Sequence, residues 1–258
     1  MLTNYHSHTY RCHHADGTEE EYIRVAIENG VAELGFSDHS PYPMDGYCSP
    51  FRMATTDAKG YVDTLLNLRE KYKGKINIYI GFEAEYYPKY FRGFLELIDP
   101  LQYDYLILGQ HFIGNEIDED ARPSFDATDD ELLLERYVNQ VIEAIDTDAF
   151  SYIAHPDVFH FVGSHDDYKK HITRLCEHAK EKSVPLEINA LGMRDARYYP
   201  NIDFWKIAAE IGNEVVYGCD SHNARYAWDN DSYKKVLKMV KSLNLNLIDK
   251  VRLHRAIL

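Results

Sequence analysis

The sequence predicts an α/β fold in which seven strand–helix units close into a parallel barrel. Three observations predict it. Segments of period two alternate with segments of helical period along the whole chain, which implies strands joined by helical crossovers. No low-complexity linker interrupts the alternation, and 258 residues is a length at which α/β barrels form one unit, so residues 1–258 are read as a single domain.

The units follow in order. "NYHSHT" opens as a strand, and "TEEEYIRVAIENG" is a helix with a Thr18–Glu21 capping box and a Gly30 stop. "AELGFSDH" is a strand, "TTDAKGYVDTLLNLREKYKG" a helix ending at Gly74, and "INIYIGFEAEY" a β-branched and aromatic strand. "FRGFLELID" is a short helix and "YDYLILGQHF" a strand. "ATDDELLLERYVNQVIEAID" places Leu134, Tyr137, Val138, Val141, Ile142 and Ile145 on one helical face, behind an expected Thr128–Glu131 capping box. "FSYIAHPD" is the fifth strand, followed by a helix over "DDYKKHITRLCEHAKEKS". "PLEINALG" is the sixth strand, with a helix around "DFWKIAAEIG", and "EVVYGCDSH" is the seventh, with a last helix "DSYKKVLKMVKSLN".

Composition narrows the function. A formal charge of −14 argues against long nucleic acid as a partner, because phosphate backbones are bound by basic patches. No run approaches the roughly 18 apolar residues of a membrane span, and the first residues lack a basic, then apolar, leader. A cytoplasmic location is therefore expected, with no membrane contact. Cys12, Cys48, Cys176 and Cys219 are scattered without a CxxC pair, so no disulfide is expected. Neither GxGxxG nor GxxxxGK[ST] occurs, which removes the common nucleotide cradles.

In such barrels the chemistry lies at the C-terminal ends of the strands. Here strand one finishes at His6-Ser7-His8, strand two at Asp38-His39, strand three at Glu83, strand four at His111, strand five at His155 and strand seven at Asp220-Ser221-His222. Residues i and i+2 of a strand point to one side, so the HxH and DxH pairs can share an ion or feed neighbouring ions. A lone histidine at a strand end is ordinarily a satisfied polar residue. A whole rim of imidazoles and carboxylates would need other partners in a crowded cavity, and divalent ions are the simplest.

"HSHTYRCHHADG", "GFSDH", "GFEAEY", "GQHFIG", "AHPD", "LEINALGMR" and "GCDSH" resemble the successive motifs of the polymerase-and-histidinol-phosphatase (PHP) superfamily, from His6 to His222. "FRM" and "LEINALGMR" favour its monofunctional histidinol-phosphate phosphatases over polymerase-linked domains. The resemblance implies a distorted seven-stranded TIM-like barrel with two or three divalent ions, Zn, Mn or Fe. Carried over by position, His6, His8, Glu83 and Asp220 would hold the first ion. Glu83 would bridge to a second on His111 and His155, and His14, His39 and His222 would take a third. Asp16 rivals His14 as the loop ligand, and His13 is left as an outward neighbour. Imidazole and carboxylate donors suit all three metals, so the donors do not name the ion.

The reaction implied is hydrolysis of a small phosphate monoester, foremost L-histidinol phosphate to L-histidinol and phosphate in histidine biosynthesis. Glu83, Asp220 and His222 are the catalytic candidates. The alternative substrates are mononucleotides or short oligonucleotides. Arg194 matches a basic position of the phosphatase motif and could fork onto phosphate. His160 stands where relatives often carry Lys or Arg, and would be a weaker, pH-dependent donor. Arg197 is expected at the surface, Arg52 at the mouth or capping a helix, and Asp38 and Asp157 as residues that orient ligands.

Overall fold

The structure, a computed structural model, describes residues 1–258. The strands are β1 (Leu2–Asn4), β2 (Val31–His39), β3 (Asn77–Ala84), β4 (Tyr105–Leu108), β5 (Phe112–Ile113), β6 (Arg122–Pro123), β7 (Leu186–Asn189), β8 (Glu214–Gly218) and β9 (Asn246–Leu247). The helices are α1 (Glu19–Glu28), α2 (Ala58–Lys71), α3 (Phe91–Ile98), α4 (Glu131–Asp146), α5 (His165–Glu181), α6 (Ala190–Arg194), α7 (Ile202–Ile211) and α8 (Asn230–Leu243). No helix is long and apolar enough to cross a membrane.

The expected closed barrel of seven strands does not form. β1–β2–β3–β4 make a curled, four-stranded parallel half-barrel, and β7–β8–β9 make a separate three-stranded parallel ladder. Two local causes keep the ladders short. The stretch read as a fifth strand makes only single bridges, Leu108 with Ile153 and Ile153 with Leu186, and then turns at His155, whose φ is 30°, just before Pro156. At the other seam the Asn4 side chain replaces the ladder. Its amide oxygen accepts from the backbone N–H of His6 (3.1 Å) and of Cys219 (3.0 Å), and its amide nitrogen donates to Ser7 Oγ and the Ala227 carbonyl. Beyond it the two segments meet only in single bridges, Ser7 with Ser221 and Asp16 with Asn223.

Period two nevertheless sorts the strands into two faces. Leu34 and Phe36 of β2, Ile78, Ile80 and Phe82 of β3, Leu106 and Leu108 of β4, Leu186 and Ile188 of β7 and Val215 and Tyr217 of β8 join the large core under the helices. The alternate positions face inward. There Tyr5, Tyr105, Ile107, Tyr152, Ala154, Val216 and Val251 form a second, small core, in which Tyr105 donates from its hydroxyl to the Tyr5 carbonyl at 2.6 Å. By the same parity Glu83 of β3, His39 of β2 and Glu187 and Asn189 of β7 lie on the inner face.

The helix signals mostly hold, with one correction. The Thr18–Glu21 capping box forms in both directions. The cap of α4 is Asp130, whose carboxylate accepts from Leu132 N–H at 2.9 Å, whereas Thr128 Oγ1 accepts from Asp130 N–H at 3.1 Å. Glu131 turns away to Lys170 and His171 of α5. The β5–β6 hairpin and β9 have no counterpart in the sequence reading. Asp130→Ala should lower stability by about 0.5–2 kcal/mol, the range for losing an N-cap, and Thr128→Ala by clearly less. Urea unfolding of both variants measures this, and equal losses would return the cap to Thr128.

Candidate active site

All nine donor candidates reach one place. Glu83 occupies its centre at 1% exposure, with His155 Nε2 at 2.8 Å, His39 Nδ1 at 3.0 Å, His6 Nε2 and His111 Nε2 at 3.5 Å and His8 Nε2 at 3.6 Å from its oxygens. Asp220 Oδ1 lies 3.2 Å from His8 Nε2, 3.3 Å from His222 Nδ1 and 3.6 Å from His6 Nε2. His14 stacks on His222, ring centroids 4.6 Å apart, and His222 stacks on His8 at 3.9 Å. Two glycines make the room. A Cβ on Gly109 would collide with the Glu83 carboxylate, and one on Gly218 with that of Glu187.

Electrostatics show why protons alone do not balance this cluster. Burial raises the Glu83 carboxyl, but the imidazoles of His111, His6 and His39 more than offset it and hold it well below the usual carboxylate range. The imidazoles cannot all be charged in return. Burial and neighbouring His8 push His39 down to about 4, and the same two causes hold His222 well below the ordinary histidine value.

Polar atoms are left over. Glu83 Oε2, Asp220 Oδ1, His222 Nε2, His39 Nδ1 and His155 Nδ1 are buried without a hydrogen-bond partner. A buried polar atom without a hydrogen bond costs about 1–3 kcal/mol, and although Glu83 Oε2 lies 3.0 Å from His39 Nδ1 and Asp220 Oδ1 3.2 Å from His8 Nε2, none of the five is hydrogen-bonded, which marks a place built for another occupant. The donor sets fit divalent ions. His6, His8 and Glu83 converge, as do His6, His155 and Asp220; His39, Glu83 and His111; and His14, His39 and His222. The grouping differs from the expected one in detail, since His39 also joins Glu83 and His111, and His155 joins His6 and Asp220.

Around these donors stands a ring of residues that hold them. His6 Nδ1 is 2.9 Å from Glu187 Oε2, and Asn189 Nδ2 donates to both Glu187 (2.8 Å) and Asp220 Oδ2 (3.0 Å). His111 Nδ1 is 2.9 Å from Glu85 Oε1. Burial raises Glu85, but Arg52 and the His111 hydrogen bond bring it down to about 2. Asp38 lies 3.4 Å from His8 Nδ1, is held by Thr9 and fits the expected orienting place. Glu85, Glu187 and Asn189 were missed. A signal existed for Glu187 and Asn189: they are i and i+2 on strand six, the spacing already used for HxH.

The cavity in front of the cluster measures about 470 Å³ and is lined by the donors His14, His39, Glu83, His111, His155, Asp220 and His222. Its remaining wall includes Phe51, Phe112, Phe125, Asp195, Arg197 and Tyr198. Several expectations need correcting here. Arg194 does not line it: the last turn of α6 points its guanidinium at Asp229 (3.2 Å) and over the Tyr226 ring (3.9 Å). Arg197 is at the surface as expected, its side chain 46% exposed, and it also lines the cavity. His160 is screened by Tyr198, on which its ring stacks at 3.8 Å. Arg52 is buried rather than at the mouth. Asp157 accepts from Asn201 N–H (2.6 Å) and Trp205 Nε1 (2.9 Å), so it anchors the chain before α7 instead of orienting His155. Asp16 is exposed in a different groove, with Glu21 and Arg225, which leaves His14 as the loop donor at the cavity.

Similarity to known proteins agrees with this geometry. The chain is 28% identical over 227 residues to a protein of Deinococcus radiodurans named "Probable histidinol-phosphatase", covering 86% of each. It is 23% identical to the histidinol-phosphatase of Bacillus subtilis, over 85% of this chain and 92% of that protein. Its fold is similar to the histidinol phosphate phosphatase of Lactococcus lactis, a structure complexed with zinc, L-histidinol and phosphate, with a TM-score of 0.74 at 19% identity over 97% of this chain and 98% of that one. Residues 4–191 match the PHP domain, and with most of its length inside that match the chain belongs to the PHP domain family.

Proposed function

We propose that the protein is a metal-dependent phosphatase that hydrolyses L-histidinol phosphate to L-histidinol and phosphate. The observation that carries the reading is the convergence of nine imidazole and carboxylate donors, seven of them lining one cavity, with buried atoms that make no hydrogen bond. The named relatives supply the substrate.

His6, His8, His14, His39, Glu83, His111, His155, Asp220 and His222 are the residues that would hold two or three divalent ions, with Glu83 placed to bridge. Such ions, when bound, acidify a water toward neutrality and offset phosphoryl charge. The chain's own groups do the rest. Asp220 Oδ2 is held by Asn189, and Oδ1, which faces His6, His8 and His222, would help to hold an ion and is placed to take the proton of the attacking water. Arg197 takes over the role expected of Arg194. Its guanidinium is steadied by the Tyr199 hydroxyl at 3.1 Å and can donate to a phosphoryl oxygen in the cavity. The organic end of histidinol phosphate carries an ammonium and an imidazole, and Asp195 with the rings of Phe51, Phe112 and Phe125 offers a carboxylate and aromatic faces to them.

Elemental analysis after supplementation with Zn, Mn or Fe should give at least two ions per chain, since the donors exceed what one ion can use. Glu83→Gln should lose several orders of magnitude in kcat while the chain still folds, as circular dichroism checks. Near-normal turnover and metal content in that variant would refute the bridging role.

A phosphate-release screen across phosphate monoesters should give histidinol phosphate the highest kcat/KM. A mononucleotide ahead of it would move the assignment to a nucleotide phosphoesterase.

Arg197→Ala should cost about 1.5–3 kcal/mol in transition-state stabilisation, about ten- to a hundredfold in kcat/KM, the range for a hydrogen bond to a charged group. Arg194→Ala should stay within about twofold, a change below that range. Steady-state kinetics giving the opposite order would restore Arg194 as the phosphate contact.

A further inference from the structure

The loop between β2 and α2 buries an arginine that the proposed reaction does not use. Arg52 is 1% exposed, and a guanidinium there is costly unless its donors are paired. It is paired closely. Nη1 donates to the Ser40 carbonyl at 3.1 Å and to Glu85 Oε2 at 3.2 Å, and Nη2 donates to Glu85 Oε1 at 3.0 Å and to Glu116. Glu85 Oε1 also accepts from His111 Nδ1 at 2.9 Å, and Glu116 accepts from the Tyr87 hydroxyl at 3.2 Å. A proton on Nδ1 donated to a carboxylate fixes the tautomer and leaves the Nε2 lone pair free. That Nε2 faces Glu83 Oε1 at 3.5 Å.

We propose that Arg52 is a positioning residue for the metal centre: its two-pronged grip holds Glu85 in the orientation that takes the His111 Nδ1–H and turns Nε2 toward Glu83. Arg52 touches neither the cavity nor the reacting atoms, and it reaches His111 through Glu85. His111 is the donor that needs such support. Its side chain is 17% exposed, against 8% or less for the four other imidazoles around Glu83, so packing fixes it least. His6 shows the contrast. It is fully buried, and its carboxylate Glu187 is held by a neutral amide from the same strand, with no loop recruited.

The same arginine couples the loop to the donor. Its bond to the Ser40 carbonyl ties the chain just after β2 to the end of β3, and the preceding residue, Phe51, then lines the cavity and lies edge-on to His39 at 6.1 Å. One guanidinium thus sets a wall of the substrate cavity and the orientation of a donor on its floor.

The inference rests on His111 helping to hold a divalent ion, and the test separates the two. Zinc is titrated against a competing chelator on the wild type, Arg52→Met, Arg52→Lys and Glu116→Gln, with circular dichroism and melting temperature recorded for each. Arg52→Met should weaken the binding of at least one zinc by about 10–100-fold, the range for losing a residue that orients a ligand. Arg52→Lys keeps the charge without the fork and should fall between Met and wild type. Glu116→Gln leaves the Arg52–Glu85 contacts in place and should stay within about threefold, well inside the loss expected for the orienting residue. A folded Arg52→Met with wild-type zinc affinity overturns the proposal. If Arg52→Met does not fold, Arg52→Lys decides, and wild-type affinity in that variant overturns the need for the fork. A wild-type chain that takes fewer than two zinc ions overturns the reading of the site itself, a result distinct from variants that merely match a two-zinc wild type.

Discussion

One buried carboxylate organises this protein. Glu83 sits on the inner face of β3 with five imidazoles around it, and an ionised carboxylate in so dry a place persists only if cationic groups compensate it. The imidazoles supply part of that compensation and cannot supply all of it, because protonating neighbours such as His8, His39 and His222 sets like charges against one another. A divalent ion held by these residues would resolve the conflict, since neutral imidazoles and anionic carboxylates would both serve as its donors. The fold makes room for this arrangement through absent side chains, at Gly109 beside Glu83 and at Gly218 beside Glu187.

From that centre the structure builds outward in pairs. Glu187 takes His6, Asp38 faces His8 and Glu85 takes His111, so three inner donors each have a carboxylate on the far ring nitrogen. Each carboxylate is then fixed by something else: Asn189 for Glu187, Thr9 for Asp38 and Arg52 for Glu85. The local irregularities serve the same end. Asn4 spends its side chain on the seam between β1 and the end of β8, and the segment around His155 abandons strand geometry with a positive φ, which turns its imidazole toward Glu83.

The substrate side is made of loops and looser contacts. Phe51, Phe112 and Phe125 come from loop and hairpin segments, and Arg197 and Tyr198 from the stretch between α6 and α7. Sequence reasoning was weakest here. Arg194 and Arg197 are three residues apart, and nothing in "GMRDARYYP" says which one turns inward. The answer lies in Asp229, which caps α8 and claims Arg194 from far along the chain. His160 lost its expected place for a similar reason, since Tyr198 covers it by stacking.

The sequence by itself determined the chemistry. Histidines and carboxylates at strand ends are local facts of the chain and pick out His6, His8, His39, Glu83, His111, His155, Asp220 and His222, the PHP resemblance adds His14, and the alternation of strand and helix periods gives the α/β class. The Thr18–Glu21 box was legible for the same reason, because both partners lie within one turn. Tertiary structure decided whatever depends on partners distant in the chain. It decided that Asn4 and His155 interrupt the ladders, so that a four-stranded half-barrel and a separate three-stranded ladder replace the seven-stranded barrel. It decided that Asp130 rather than Thr128 caps α4, that Arg197 rather than Arg194 reaches the cavity, and that Arg52 is buried against Glu85. Period and spacing fix which face a residue is on, but ion pairs and stacking across dozens of residues are fixed only when the packed chain brings both members together.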